Sequence, residues 1–336
     1  MYSWKWNLSE LKNDKDVSVF SCFSCGGGST MGYKRAGFKV IGNVEIDPKI
    51  NAMYVKNHHP KYNFEMDLRE FNKRDDLPEE LYHLDILDGS PPCTTFSMAG
   101  KREKGWGVKK RFKEGQAEQR LDDLFYVFLD TVNKLRPKVV IAENVAGLLG
   151  GNAKGYVNGI INGFKELGYN VQLFKLNAAL MDTPLYRERV FFIANNQGFP
   201  KLKLDFKGTP IRFGNVRTPH GKPISPSTQM FSRLQHMRPT DTSMCDILER
   251  TEKRQSNYGT LIWQDNRVAH SLTSGGAYVR GFDKTCVSDG DFIRVTSFPQ
   301  DYDFNGNPVQ YVVGMSVPPN MMANIATEVY KQWLKK

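Results

Sequence analysis

The first 195 residues alternate two kinds of apolar pattern. Short runs rich in Val, Ile and Phe predict buried strands. Stretches in which apolar residues recur every three or four positions predict amphipathic helices. We expect strands at 17–23, 39–44, 82–87, 138–142, 170–176 and 189–194, and helices at 29–36, 49–57, 121–135 and 155–167. This alternation predicts an α/β fold with a doubly wound, mostly parallel sheet and helices on both faces.

The pattern changes after about residue 198. The segment 198–289 is rich in Pro, Thr, Ser and Gly and has no long helical period, which predicts a second, smaller and irregular domain. Its part at 200–267 holds twelve Lys and Arg against six Asp and Glu. Pro-Pro-Asn at 318–320 then precedes helical spacing at 321–334, which predicts a closing helix. We therefore assign 1–197 and 290–336 to the larger domain.

Composition narrows the class of protein. A net charge of +10 favours an acidic partner such as nucleic acid. No apolar stretch approaches the roughly 20 residues of a membrane span, and the first residues carry no secretory pattern, so we expect no membrane association. Five scattered cysteines favour reduced thiols in the cytoplasm. Cys22 and Cys25 have no second pair at zinc spacing, so no metal is expected.

A glycine-rich turn follows the first predicted strand. Gly26, Gly27 and Gly28 let the backbone bend tightly and approach a ligand, and the next helix offers free N–H groups. Glu45 ends the second strand, where a carboxylate can accept hydrogen bonds from ribose hydroxyls. These features predict a cofactor that contains a ribose and an anionic end. NAD, FAD and S-adenosylmethionine all meet that description.

Further polar side chains lie at the ends of other strands of the predicted sheet. Cys93 leaves the strand at 84–88 behind two prolines, which orient a thiol where open parallel sheets bind ligands. The basic segment 98–120 comes next and favours closure over a polyanion. Glu143 ends the fifth strand. Arg187 and Arg189 begin another strand, where a spacing of two places both on one face.

Taken in order, these residues resemble the cytosine-C5 DNA methyltransferases over nearly the whole chain. The resemblance rests on Phe-x-x-Gly-Gly-Gly at 23–28, Glu45, Asp67, Pro-Pro-Cys at 91–93, Glu-Asn-Val at 143–145, Arg-x-Arg at 187–189 and Gly-Met-Ser-Val-Pro-Pro at 314–319. The sequence departs from the usual pattern at Cys25, Leu185 and Met315. None of these departures removes a group that the chemistry needs.

The resemblance implies a Rossmann-like methyltransferase that uses S-adenosylmethionine. Cys93 would add to cytosine C6, Glu143 would hydrogen-bond N3, and Arg187 and Arg189 would hold the base, which must be flipped out of the duplex. The segment 198–289 would be the target-recognition domain, reading double-stranded DNA. The residues implied to bind the cofactor are Phe23, Cys25, Gly26, Gly28, Glu45, Ile46, Asp67, Leu68, Pro92, Leu124 and Ser316.

Three other functions are compatible with parts of this pattern. A related branch performs the same chemistry on tRNA, although the basic insert favours duplex DNA. A Rossmann dehydrogenase would share the glycine turn and Glu45, and an inactive binding module would share the fold. We expect a monomeric modification enzyme, with a cognate restriction endonuclease as its functional partner.

Overall fold

The strands of the described residues form one seven-stranded sheet and two two-stranded ribbons. The structure is a computed structural model that describes residues 1–92, 124–150, 154–253 and 259–335. The strands are β1 (Ser18–Cys22), β2 (Lys39–Glu45), β3 (Tyr62–Glu65), β4 (Ile86–Gly89), β5 (Val139–Val145), β6 (Asn170–Asn177), β7 (Leu185–Tyr186), β8 (Glu188–Asn195), β9 (Thr260–Trp263), β10 (Ala269–His270) and β11 (Ala277–Arg280). The helices are α1 (Gly28–Arg35), α2 (Pro48–His58), α3 (Leu68–Lys73), α4 (Leu124–Leu135), α5 (Lys154–Glu166), α6 (Gln229–Leu234), α7 (Met244–Glu252), α8 (Asp289–Val295), α9 (Val309–Met315) and α10 (Pro319–Val329).

The seven strands of the large sheet lie in the order β3-β2-β1-β4-β5-β8-β6. The first five run parallel, whereas β8 pairs antiparallel with both β5 and β6. The prediction of an α/β fold with a mostly parallel sheet is therefore confirmed. The carboxyl ends of β1, β2, β4 and β5 lie along one edge, and in open α/β sheets this edge binds ligands.

The chain divides into two units. The sheet unit comprises Leu11–Asn177, Glu188–Asp205 and Met322–Lys336. The insert unit comprises Met1–Glu10, Ala178–Arg187 and Phe206–Met321, and it contains β7, β9, β10 and β11. The boundaries predicted for a target-recognition domain, 198–289, and its role remain predictions.

Each unit has its own apolar core. One face of the large sheet packs on α3, α4 and α5 through a cluster that includes Phe20, Leu87, Ala142, Phe71 and Phe128. In the insert unit, a smaller cluster joins α6 and α7 to β9 and β11 through Leu234, Met244, Ile247, Leu248, Ile262 and Val279. Among the described residues, no helix has the length and apolarity required to cross a bilayer.

Two local predictions differ from the structure. The expected strand at 82–87 begins only at Ile86, because Glu79–His83 forms a 3₁₀ helix after Pro78. Its apolar residues Leu81 and Leu84 pack into the core, which explains the misleading pattern. The sequence also does not predict the short elements β3 and α3, since four and six residues are too few for a clear period. The predicted closing helix is confirmed as α10, which continues into a π-helical turn.

Candidate active site

The glycine-rich turn leaves β1 in an uncommon backbone conformation. Phe23, Cys25 and Gly27 all have positive φ angles, of 56°, 45° and 71°. The Gly27 N–H donates to the Ser24 carbonyl at 2.8 Å, and Gly27 is the N-cap of α1. Residues other than glycine seldom adopt this left-handed region, so the surrounding structure must stabilise the conformation of Phe23 and Cys25. The turn thereby brings its backbone to the ligand-binding edge of the sheet, directly before α1.

Glu45 connects the turn to the end of β2. Its carboxylate accepts the Cys25 N–H at 2.8 Å, the Ile46 N–H at 2.9 Å and the Asp47 N–H at 3.0 Å. Burial raises the pKa of Glu45, and these backbone hydrogen bonds oppose that rise. The residue assigned to the ribose therefore also fixes the backbone of Cys25. This second role explains why an unusual residue can occupy position 25 without loss of the turn.

The next cofactor candidates lie where β3 leads into α3. Asp67 is the N-cap of this helix, and its carboxylate accepts the Arg69 N–H at 2.8 Å. The Arg69 guanidinium lies 3.1 Å from the same carboxylate. Leu68, the first helical residue, is buried in the core. Asp67 and Glu45 thus lie after neighbouring parallel strands, β3 and β2, at the same edge of the sheet.

The sequence pattern did not identify His58, whose side chain packs against the turn at Gly27. A Cβ atom added to Gly27 would lie 2.1 Å from His58 Nε2, so this side chain occupies the space beside the glycine. Burial, with a smaller contribution from Lys34, lowers the pKa of His58 well below its ordinary value. The imidazole is therefore neutral at physiological pH. A histidine thirty residues from the turn gives no local sequence signal, because their contact is tertiary.

We predict that Gly27→Ala destabilises the protein by roughly 2–4 kcal/mol, because it combines a left-handed φ with a clash on His58. Gly168→Ala is the matched control, since Gly168 has a φ of 82° but no atom within 4 Å of the added Cβ. We expect this control to cost only about 1 kcal/mol. Urea denaturation of both variants measures the difference. Equal losses would contradict a tight contact between the turn and His58.

A side-chain hydrogen bond joins the segment after the carboxyl end of β4 to β5. The buried Asn144 side chain donates from Nδ2 to the Pro91 carbonyl at 3.3 Å. This bond fixes the backbone two residues before Cys93. Cys93 and the basic segment 98–120 lie outside the described residues, so their roles remain predictions. Pro92 is partly exposed directly before them, and Leu124 is buried at the start of the described part of α4.

Glu143 and Arg189 form a partly buried ion pair across β5 and β8. Arg189 Nε lies 2.7 Å from Glu143 Oε1, and both side chains are largely shielded from solvent. Burial lowers the pKa of Arg189, while Glu143 raises it. The guanidinium also donates to the Glu188 carbonyl at 2.8 Å. The structure thus brings together two of the four residues assigned to the chemistry.

Arg187 lies outside β8, so the expectation that it shares one continuous strand with Arg189 was wrong. Arg187 lies between β7, which pairs with β10, and β8, which pairs with β5 and β6. Its buried guanidinium donates to the carbonyl oxygens of Leu272 at 3.0 Å, Gly314 at 2.7 Å and Ser316 at 3.2 Å. Arg187 therefore links three segments within the insert unit, and its predicted contact with the base stays a prediction.

Ser316 is held at the C-terminal end of α9. Its hydroxyl donates to the Val312 carbonyl at 2.8 Å, and its own carbonyl accepts from Arg187. Within the described ranges, no three His, Cys, Asp or Glu side chains cluster in a way that could bind a metal.

Several known proteins are similar to this chain in sequence or in fold. The model of the C-5 cytosine-specific DNA methylase family matches residues 17–331. Type II methyltransferase M.FnuDI of Fusobacterium nucleatum is 31% identical over 75% of this chain and 67% of its own length. Type II methyltransferase M1.HphI of Haemophilus parahaemolyticus is 28% identical over 98% of this chain and 91% of its own. A solved structure with a similar fold is that of an Escherichia coli prophage protein, described as a DNA modification methyltransferase. The match has a TM-score of 0.67 at 18% identity and covers 95% of this chain and 100% of that protein.

Proposed function

Since the chain belongs to the C-5 cytosine-specific DNA methylase family, we propose that it methylates cytosine C5 in a specific duplex sequence through a covalent intermediate at Cys93. The observation that carries this proposal is the partly buried Glu143–Arg189 ion pair. It lies at the edge of the sheet where Asn144 holds the backbone that leads to Cys93. A carboxyl group and a guanidinium fixed together are suited to a flat, polar heterocycle.

The proposed reaction divides one difficult substitution into easier steps. The Cys93 thiolate forms a bond to C6 of the cytosine, and Glu143 places a proton on N3, so electron density moves to C5. After methyl transfer, a base removes the C5 proton, the thiolate leaves and N3 returns its proton to Glu143, which restores the aromatic ring. Arg189 orients Glu143 through their ion pair, and we assign it the stabilisation of charge on the base. C6 is inaccessible in stacked DNA, so the cytosine must be flipped out.

The residues at the glycine turn fit S-adenosylmethionine. Glu45 is a buried carboxylate for ribose hydroxyls, and the turn at 23–28 brings backbone groups beside it. Asp67 and Leu68 begin α3 after the adjacent strand, in a position to contact the adenine. When bound, this cofactor supplies an electrophilic methyl group on sulfonium. The family match does not favour the dehydrogenase alternative, in which the same turn would bind NAD.

We further propose a restriction–modification role in the cytoplasm, at the nucleoid. The relatives M.FnuDI and M1.HphI are Type II methyltransferases, which supports pairing with a cognate endonuclease. The basic composition of 200–267 supports a role in gripping duplex DNA. We propose that the enzyme acts as a monomer, in keeping with methylation of one strand at a time. These relatives do not favour the tRNA alternative.

The decisive test is transfer of tritiated methyl groups from S-adenosylmethionine to duplex DNA or to tRNA. We expect label in DNA, located at 5-methylcytosine within one short sequence. Duplex DNA that already carries 5-methylcytosine at every cytosine is the control and should accept no label. Label in tRNA alone would overturn the choice of substrate, and label on adenine would overturn the proposed reaction.

A further inference from the structure

One buried carboxyl group lies beside the site without a place in the proposed reaction. Asp88 is in β4, between β1 and β5, and only 1% of its surface is exposed. Ser21 Oγ donates to Oδ2 at 2.8 Å, and the Tyr33 hydroxyl donates to Oδ1 at 3.1 Å. No lysine, arginine or histidine of the described residues pairs with it. A carboxyl at the centre of a sheet therefore has only neutral hydrogen-bond donors.

Asp88 shares a sheet face with the proposed catalytic pair. Leu87 and Ala142 pack into the core on one face, so Asp88 and Glu143 project from the other. Asp88 pairs in register with Ile141, and Glu143 is the next residue of β5 on that same face. The two Cα atoms are thus roughly 8 Å apart, from the spacing between strands and the rise along them. Long side chains can interact electrostatically over that distance.

Four polar side chains consequently form a row across neighbouring strands. In sheet order they are Ser21 on β1, Asp88 on β4, Glu143 on β5 and Arg189 on β8. The Arg189 charge lies at the Glu143 end of this row, 2.7 Å from its carboxylate. Asp88 has hydroxyl donors instead. Two carboxyl groups that interact at low dielectric do not ionise independently, so a proton on one depends on the charge of the other.

We propose that Asp88 is a positioning residue whose negative charge strengthens the hold of Glu143 on the proton that it shares with cytosine N3. The inference rests on the proposed function, because it acts through Glu143. In the free enzyme below neutral pH, Asp88 retains its own proton. As Asp88 ionises, Glu143 gains proton affinity, which keeps the acid form available under more alkaline conditions.

The surroundings of Asp88 determine the pH range in which its charge changes and so affects Glu143. Burial raises the pKa of Asp88 to about 7, opposed by the Ser21 and Tyr33 hydrogen bonds and assisted by Glu143. Within the described ranges, the other titratable groups around Asp88 are Cys22 on β1, Tyr33 on α1 and Tyr54 on α2, and burial raises the pKa of each. These three are therefore neutral near pH 7. Asp88 is the group of this set whose charge changes there.

The test is the pH dependence of kcat/KM for Asp88→Asn, which keeps the shape of the side chain and removes its charge. Below about pH 6 Asp88 is protonated and uncharged, as asparagine is, so the variant and wild type should agree. Above pH 7 the kcat/KM of the variant should fall progressively below that of the wild type. The difference should reach roughly tenfold if the coupling shifts the pKa of Glu143 by one unit. A constant ratio across the range would contradict the proposal and indicate a structural role alone.

Two further variants test the direction of the effect. Tyr33→Phe removes a donor that stabilises the charged form, so Asp88 should ionise at higher pH and the alkaline gain should begin later. Asp85→Asn is the matched control, because Asp85 precedes the same strand, pairs with Lys138 at 2.7 Å and lies at the other end of β4. Its profile should keep the wild-type shape. A similar loss above pH 7 in this control would contradict a specific role for Asp88.

A measurement without DNA separates this proposal from the proposed function. Carbon-13 NMR of protein labelled at the glutamate carboxyl carbons reports the titration of Glu143, with Glu143→Gln identifying its signal. We expect the pKa of Glu143 to be lower in Asp88→Asn than in the wild type. An unchanged titration would overturn the coupling even in an active enzyme. A shifted titration in a protein that fails to methylate DNA would overturn only the assigned reaction.

Discussion

Replacement of Cys93 by serine should lower DNA methylation by roughly 10⁴-fold or more, the scale seen when a covalent nucleophile is removed. The hydroxyl of serine is far less acidic than a thiol and is a poor nucleophile toward C6 at neutral pH. Binding of S-adenosylmethionine should persist, because the turn at 23–28 and Glu45 are separate in sequence from the Pro-Pro-Cys segment. Single-turnover methylation and calorimetric titration of the cofactor measure the two properties.

A mechanism-based trap makes this prediction specific for the thiol. Duplex DNA with 5-fluorocytosine at the target should remain covalently attached to the wild-type enzyme, because fluorine blocks the final elimination. Peptide mapping should place the adduct on Cys93. Cys245→Ser is the matched control, since Cys245 lies on α7 in the insert unit and should not affect trapping. An adduct formed equally well by Cys93→Ser would show that another residue is the nucleophile.

Replacement of Glu143 by glutamine should lower kcat by about 10²–10⁴-fold, the range of an acid–base group. Glutamine retains the size of the side chain but cannot place a proton on N3, and it leaves the Arg189 guanidinium buried without its carboxylate. We therefore expect some loss of stability together with the loss of rate. Rapid-quench measurement of the chemical step, at saturating cofactor and DNA, separates this effect from weakened binding.

Glu188→Gln provides the control for Glu143→Gln. Glu188 is adjacent to Arg189 in β8, and its carboxylate pairs with Lys175 of β6 at 2.9 Å on the other face of the sheet. The variant removes one partly exposed ion pair without touching the Glu143–Arg189 pair. We expect nearly wild-type kcat. Similar kcat losses in both variants would mean that charge removal from this part of the sheet, rather than proton donation, determines the rate.

The sequence predicted the main features of the sheet because most of its strands are continuous apolar runs. β2 and β8 appear within one or two residues of their predicted positions, and Glu45 ends β2 as expected. Arg189 lies in β8, but Arg187 lies outside it. The two-residue spacing assumes one continuous strand, whereas the chain changes pairing partners at this position. Such a change depends on which strands are neighbours, and a local pattern contains no information about that.

The sequence by itself determined the class of fold, the order of the chemical groups along the chain and the residues that resemble a cytosine methyltransferase. These properties are local, since they depend on periodicity and on short motifs. Only the tertiary structure decided which groups meet. It placed the His58 side chain beside Gly27 and brought the Glu45 carboxylate to the Cys25 N–H. It also put Asp88, Glu143 and Arg189 on one face of the sheet. The physical reason is that these contacts join distant segments through sheet order and register, which the whole core stabilises together.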